Sequence, residues 1–300
     1  MTKIEIRPIT DAAGCTAVEK LQYDAWKMTD NLEVVPGHLL ITFHKNGGVL
    51  LGAFAGERLV GFVMGFVGIM ADGRLKHASH MMGIHPEFQK QSIGKQLKLA
   101  QRQTVQQQGL DLITWTYDPL ETGNARLNIH KLGATCRTYL PNLYGNGDGI
   151  NAGLPTDRFH VDWHINSGHV EKRLAGGDEV AVPQHLILNP VGENGRPSEN
   201  LKSPAEATHF VQIPVHFQNI KANDLSLALA WRLQTRQLFT ELFAQNYLVT
   251  DFILDQDNAY YQLGIEETSN QQAAKTFSKL RGGANVKLTT DEILTLTRSE

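Results

Sequence analysis

The sequence predicts a mixed α/β (α+β) chain: a mostly antiparallel sheet flanked by helices, followed by a smaller C-terminal β-α-β-β domain. Three observations carry this. Short apolar runs joined by tight Gly-bearing turns fill residues 48–84, the pattern of consecutive antiparallel strands. A helical stretch at about 92–108 leads straight into LDLITWTY, which places that strand parallel to the preceding one. After His164 the composition turns to Gly, Pro, Asn, Glu and Ser, and regular patterning resumes only near residue 208.

The elements follow in order. Residues 3–8 alternate, with Ile4 and Ile6 on one face of a first strand. Thr10 or Asp11 is placed to cap a helix carrying Val18, Leu21 and Trp26. Pro36-Gly37 breaks the chain before a short second helix. GVLLGAF and RLVGFVMGFVG form a hairpin through Ala55-Gly56-Glu57, and Asp72-Gly73 turns into LKHASHMMGI. Gly109 ends the next helix. A short helix is expected from Asn124 to Leu132, closed by Gly133, then strands in ATCRTYLPNLYG and DRFHVDWHI. These make a domain over residues 1–165. Residues 166–207 read as a linker crossing the surface, with one apolar island, HLILNPV. Residues 208–300 form the second domain: a strand in THFVQIPVHF, a long helix over about 223–245, strands in YLVTDFIL and NAYYQLG, and a polar tail in which Thr290-Asp291 is placed to cap a short helix.

Composition excludes several classes. A net charge of −3 and a pI near 6.5 leave no basic field for nucleic acid. The longest apolar run, LVGFVMGFVGIM, is interrupted by Gly and shorter than the roughly 20 residues of a membrane helix. The N-terminus lacks the apolar middle of a signal peptide. Cys15 and Cys136 are too few for a disulfide framework and have no metal-type spacing; they fit free thiols in a cytoplasmic protein without a metal site.

The stretch HPEFQKQSIGKQL, residues 85–97, is a polar turn opening into a helix. A helix start leaves its first amides unpaired and carries partial positive charge. The amides of Gln91, Ser92, Ile93, Gly94 and Lys95 are positioned to converge on a pyrophosphate, with Gly94 allowing close approach and Lys90, Lys95 and Lys98 adding charge. An ordinary turn with a Ser cap explains the same residues. In its context the turn resembles that of the Gcn5-related N-acetyltransferase superfamily, Gln/Arg-x-x-Gly-x-Gly/Ala after the fourth strand. Here the frame is Gln89-Lys90-Gln91-Ser92-Ile93-Gly94, with Ser92 in place of the first Gly, a departure tolerated if Ser92 keeps a helical backbone. IHPEFQ, NARLNIHKLGA and the order of elements are similar too, over about residues 1–165; GLPTDRF and WRLQTR resemble a two-part branch of the superfamily.

The resemblance implies acetyl-CoA or another acyl-CoA as co-substrate and an amine acceptor that attacks the thioester directly in a ternary complex. It implies that the fourth and fifth strands splay, that the pantetheine arm pairs along the edge at Met82 and Ile84, and that Asn124 contacts it. A base on the fourth strand, two or four residues before the thioester contact, falls at His80 or Ala78; strand alternation puts both on the face of Met82 and Ile84. His80 fits the base role, with a structural strand histidine as the alternative; His77 faces the other way. The superfamily's usual acid, a Tyr, is replaced by Ile129, and Tyr117, Tyr139 or Tyr144 is a substitute from neighbouring strands.

On the helix from residue 223, Leu225, Ala228, Leu229, Phe239, Leu242 and Phe243 form one stripe with Arg232 and Arg236 in its middle. Two readings stand: structural ion pairs, with Asp157 or Asp251 as partners, or a clamp for a carboxylate of the acceptor or acyl group. Leu227, Trp231 and Leu238 make a second apolar face, to be covered by another domain or by a second subunit of a homodimer. Thr156-Asp157 reads as a turn with Arg158 exposed, or as a wall of the acceptor pocket; Trp26 reads as core packing or as part of the acceptor cover. The expected activity is acyl transfer, acetyl by preference, to a small amine, amino-acid-like if the arginines form a clamp. The alternative is a non-catalytic acyl-CoA-binding or regulatory module.

Overall fold

The computed structural model describes residues 3–28, 33–145, 153–177, 180–255 and 257–265. Residues Met1–Gly264 make one compact unit and Ile265–Glu300 a second, of which Ile265 is described. The helix expected after Thr290 lies outside the described residues.

Ten strands form one sheet in the order β1-β2-β3-β4-β5-β7-β6-β9-β10-β8. Strand β1, Ile4–Pro8, leads to helix α1, Ala12–Trp26, which Asp11 caps by accepting from the Gly14 amide at 2.7 Å. Helix α2, Gly37–Lys45, follows Pro36. Strands β2, Val49–Ala55, and β3, Arg58–Ile69, form the expected hairpin, and β4, Leu75–Ile84, lies antiparallel to β3. Helix α3, Ile93–Gln107, crosses to β5, Leu112–Tyr117, which pairs with β4 in parallel. Helix α4, Thr122–Ala125, widens into a π-helical stretch, Arg126–Lys131, that ends at the left-handed Gly133 (φ 73°). Strand β7, Arg158–His164, lies between β5 and β6, Thr135–Leu140.

The stretch read as a linker holds a helix the pattern did not predict: α5, Gly168–Leu174, capped by Ser167. Its apolar island lies along β8, Thr208–Ile213, where Leu188 donates to the Phe210 carbonyl at 2.9 Å and Ile187, Leu188 and Asn189 are buried. Helices α6, Phe217–Asn223, and α7, Leu225–Ala244, precede β9, Tyr247–Asp255, and β10, Asn258–Ile265. A single pair, Cys136 with Val249, joins β6 to β9, so strands before residue 165 and after residue 207 share the sheet.

The two larger apolar clusters cover the two faces, and a small third one among the described residues joins Ile187, Phe210 and Tyr260. Ile9, Val18, Leu21, Leu40, Phe62 and Met64 pack under α1 and α2. The larger cluster, under α3 and α7, includes Val63, Ile93, Leu97, Trp115, Phe159, Trp163 and Phe239. On α7, Ala228, Phe239 and Leu242 are buried as expected, whereas Leu225 and Leu229 are exposed. Both cysteines are buried and free.

Candidate active site

Strands β4 and β5 share only two pairs, His77 with Ile113 and Ala78 with Thr114. Beyond them the strands part, and the turn at residues 85–92 stands at the open end. The edge facing the gap can be identified. The His85 amide donates to the Val60 carbonyl at 2.9 Å, so His85 and, two residues back, Gly83 direct their backbone groups at β3. Ile84 and Met82 direct theirs into the gap. The Ile84 carbonyl accepts there from the Gln89 side chain at 3.4 Å.

A bulge interrupts β4. Met81 opposes Met64 and Ser79 opposes Gly65, which leaves His80 unpaired. Glycine is required at 65, since a Cβ would lie 2.3 Å from His77 Nε2 and 2.5 Å from the Ala78 carbonyl oxygen. The bulge corrects the alternation argument. Met82 and Ile84 pack toward α3, where their side chains approach Gly94. Ala78 and His80 are on the opposite face, where the His80 ring lies 6.3 Å from Phe66, itself stacked on Phe43 of α2 at 5.3 Å. His80 is solvent-exposed, yet neighbouring atoms strip enough water to lower its pKa below 6.5. Trp26 packs edge-on against Phe62 and over Gly83 on this same α1–α2 side. Thr116 of β5 also faces it, its hydroxyl 3.1 Å from that of Tyr144, and His160 of β7 lies directly opposite Thr116.

The first intrahelical bond of α3 runs from the Gln96 amide to the Ser92 carbonyl, so the amides of Ile93, Gly94 and Lys95 precede it. Ser92 is not helical: φ is 60° and ψ 15°, its side chain makes no cap bond, and Lys90 is left-handed too (φ 63°). That conformation favours glycine and costs a side-chain-bearing residue about 1 kcal/mol. Gln89, Lys90, Gln91 and Ser92 are exposed. Gly94 is buried, and its missing side chain faces the protein, since a Cβ would meet Leu127, Ile84 and Met82 at 3.3–3.4 Å. Its smallness therefore lets α3 sit against β4 and the π-helical stretch. Asn124 is exposed on α4, one turn before Leu127.

Lys98 does not add charge to the turn. It is 2% exposed, with Nζ 2.7 Å from Ser79 Oγ, 3.2 Å from Gln101 Oε1 and 3.9 Å from the Trp115 ring centroid. Burial brings its pKa down to about 7. Gln101 also contacts His77 Nε2 at 3.1 Å, and burial followed by the Lys98 charge lowers His77 to about 4. This cluster was legible in one respect: Lys98 and Gln101 interrupt the apolar Ile93–Leu97–Val105 stripe of α3, as Arg232 and Arg236 interrupt that of α7.

The remaining candidates are held elsewhere. Tyr139 donates to Asp157 Oδ2 at 2.7 Å; burial and then Asp157 push its pKa far up, and β7 separates its strand from β5. As an acid at the β4–β5 gap Tyr139 is therefore set aside. Tyr117 meets Tyr261 at 3.1 Å in the core, and Ile129 is buried. Arg232 grips Asp118 with two hydrogen bonds of 2.8 and 2.5 Å, and Arg236 grips Asp157 with two of 2.9 and 2.7 Å. Arg158 donates to the Asp157 carbonyl, lies 3.8 Å from Asp118 and stacks 5.3 Å from the Tyr144 ring. These three arginines serve two internal carboxylates, the structural alternative, and the Arg158 side chain is largely covered. Asp251 pairs instead with Arg173 and His130. No helix among the described residues is long and apolar enough to cross a membrane, and no metal-type cluster occurs among them.

No protein-family model and no curated protein matches the chain. Solved structures do. The yncA protein of Salmonella typhimurium, solved with its cofactor acetyl-CoA, is 17% identical, with a TM-score of 0.45 over 55% of this chain and 95% of that one. The ribosomal-protein-S18-alanine N-acetyltransferase of Escherichia coli is 13% identical, with a TM-score of 0.43 over 55% and 96%. An acetyltransferase of the GNAT family from Streptococcus pneumoniae is 14% identical, with a TM-score of 0.43 over 53% and 98%.

Proposed function

We propose that the chain is an acyl-CoA-dependent N-acyltransferase, acetyl-CoA being the expected donor, that acylates a small amine by direct attack. The observation that carries the reading is the gap between β4 and β5, with the backbone edge at Met82 and Ile84 open and the unpaired amides of residues 93–95 at its mouth. An extended pantetheine arm is a strand-like partner for that edge, and a pyrophosphate is the anion such a helix start accommodates. Lys90, Lys95 and Asn124 border the same opening.

The acceptor enters from the α1–α2 face in this reading, where His80 is exposed and His160, Thr116 and Tyr144 lie close by. His80 takes the proton of the attacking amine; its lowered pKa keeps the imidazole neutral at physiological pH. Because Arg232, Arg236 and Arg158 are engaged with Asp118 and Asp157, nothing in their placement favours a carboxylate-bearing acceptor, and the amine is left as the defining group. Calorimetry with CoA and acetyl-CoA tests the site. Binding near micromolar that weakens several-fold in K95E supports it, and no heat with either ligand refutes it. Thiol release with an amine panel then separates an enzyme from an acyl-CoA sensor.

A further inference from the structure

We propose that Lys98 gives a proton to the CoA sulfur as the thioester bond breaks, filling the place that Ile129 leaves without an acid. This rests on the acyltransferase reading above. Ala78 and Thr114 form the last pair before β4 and β5 separate, and the next side chains directed toward α3 are those of Ser79 and Trp115. The Lys98 ammonium touches both, so it occupies the apex of the gap. A thioester held along the free edge of β4, with the acceptor approaching from the His80 side, directs its sulfur toward that apex.

Charge and hydrogen bonding point the same way. A buried cation is expensive unless a carboxylate answers it, and burial is what depresses this one. Its neighbours Ser79, Gln101 and Trp115 are neutral, and the titratable group facing it, His77, is neutral near pH 7. Two of its three N–H donors reach Ser79 and Gln101, and the face of the Trp115 ring lies 3.9 Å from the nitrogen, so no anion accepts from it among the described residues. A methionine would fill this space without burying a charge, and the amine is the feature that the proposed step uses. Tyr117 and Tyr139 are already committed in the core.

The step balances. The acceptor nitrogen bonds to the carbonyl carbon, the carbon–sulfur bond breaks with its electron pair on sulfur, and one Lys98 proton moves to sulfur. The acceptor's proton leaves through His80 to solvent, and Lys98 recovers one from solvent. The sum is amine plus acyl-CoA giving amide plus free CoA.

The test needs no acceptor. Bound CoA is titrated by its thiolate ultraviolet absorbance in the native protein, in K98M and in Y144F. The thiol should titrate about one pH unit lower in the native protein and in Y144F than in K98M. In the native protein, the Lys98 15Nζ resonance should move on adding CoA and stay nearly still on adding desulfo-CoA, which lacks the sulfur. This second measurement decides alone if K98M does not fold. Equal thiol titration in native protein and K98M, equal resonance shifts with CoA and desulfo-CoA, or a shift lost in Y144F instead would each overturn the role of Lys98 while leaving CoA binding intact. Failure of the native protein to bind CoA or desulfo-CoA would remove the acyltransferase reading itself, and this role with it.

Discussion

Two helices press cations against the same face of the sheet, and the two regions treat them in opposite ways. Helix α7 brings Arg232 and Arg236 onto Asp118 and Asp157, each through two hydrogen bonds, and Tyr139 shares Asp157. Helix α3 brings Lys98 onto a hydroxyl, an amide and an indole, with no carboxylate. The first arrangement ties the second half of the chain to β5 and to the segment before β7. The second links α3 to β4 and β5 through neutral partners alone, next to the last pair before those strands part. The difference is between a charge answered by carboxylates and one held by neutral groups, the one to which we assign the proton transfer.

The comparison breaks most visibly at Asp118. D118A leaves Arg232 buried without its partner and should destabilise the fold by about 3–5 kcal/mol, read as a lower urea midpoint. A loss below about 1 kcal/mol would show that the α7 pairs are not structural. Next in size, H80A should cut thiol release by roughly 100-fold while CoA affinity from calorimetry stays within about twofold; an unchanged rate removes His80 as the base. Turnover against pH sharpens the contrast between the two sites. It should rise as pH climbs through the lowered His80 pKa, below 6.5, and fall above about 7 as Lys98 loses its proton, with the alkaline limb missing in K98M.

Stability should move the other way at Lys98. Removing an unanswered charge makes K98M as stable as the native protein or about 1 kcal/mol more so near neutral pH. Lys98 titrates near 7 when folded and at 10.5 as a free side chain, so between those values the unfolded chain binds the extra proton and native stability climbs with pH. K98M should lack that slope in urea melts taken from pH 7 to 10. The smallest effect is at the turn: S92G relieves a left-handed residue and should add about 0.5–1 kcal/mol without weakening CoA binding.

Legibility in the sequence followed the range of the forces involved. Strand runs, turn glycines, the Asp11 cap and the parallel placement of β5 rest on local patterns and came through; the edge at Met82 and Ile84 was expected from the family resemblance, and the backbone groups of those residues point away from β3. The face of His80 did not. A period of two holds only while register is unbroken, and the bulge at His80 arises where Gly65 of one strand meets His77 and Ala78 of another. The apolar stripe of α7 announced its buried arginines, yet carboxylate partners 79 and 114 positions away along the chain cannot be read from a helical projection. For α7 the candidates named from sequence included the Asp157 that pairs with Arg236, but not Asp118. Lys98 was counted with the charge of the turn because it follows Lys95 by one helical turn, although Leu97 and Leu99 flank it.

Local pattern in the sequence was enough to place most strands and helices, the free-amide turn, and the two arginines that interrupt the apolar face of α7. Those properties depend on neighbours within a turn or a strand. The assembled fold settles which cations are answered by carboxylates, which face of β4 carries His80, and that Lys98 lies beside the last pair before β4 and β5 part. Each of these is set by groups brought together from distant parts of the chain, where burial removes water and makes the nearest partner decide the energy.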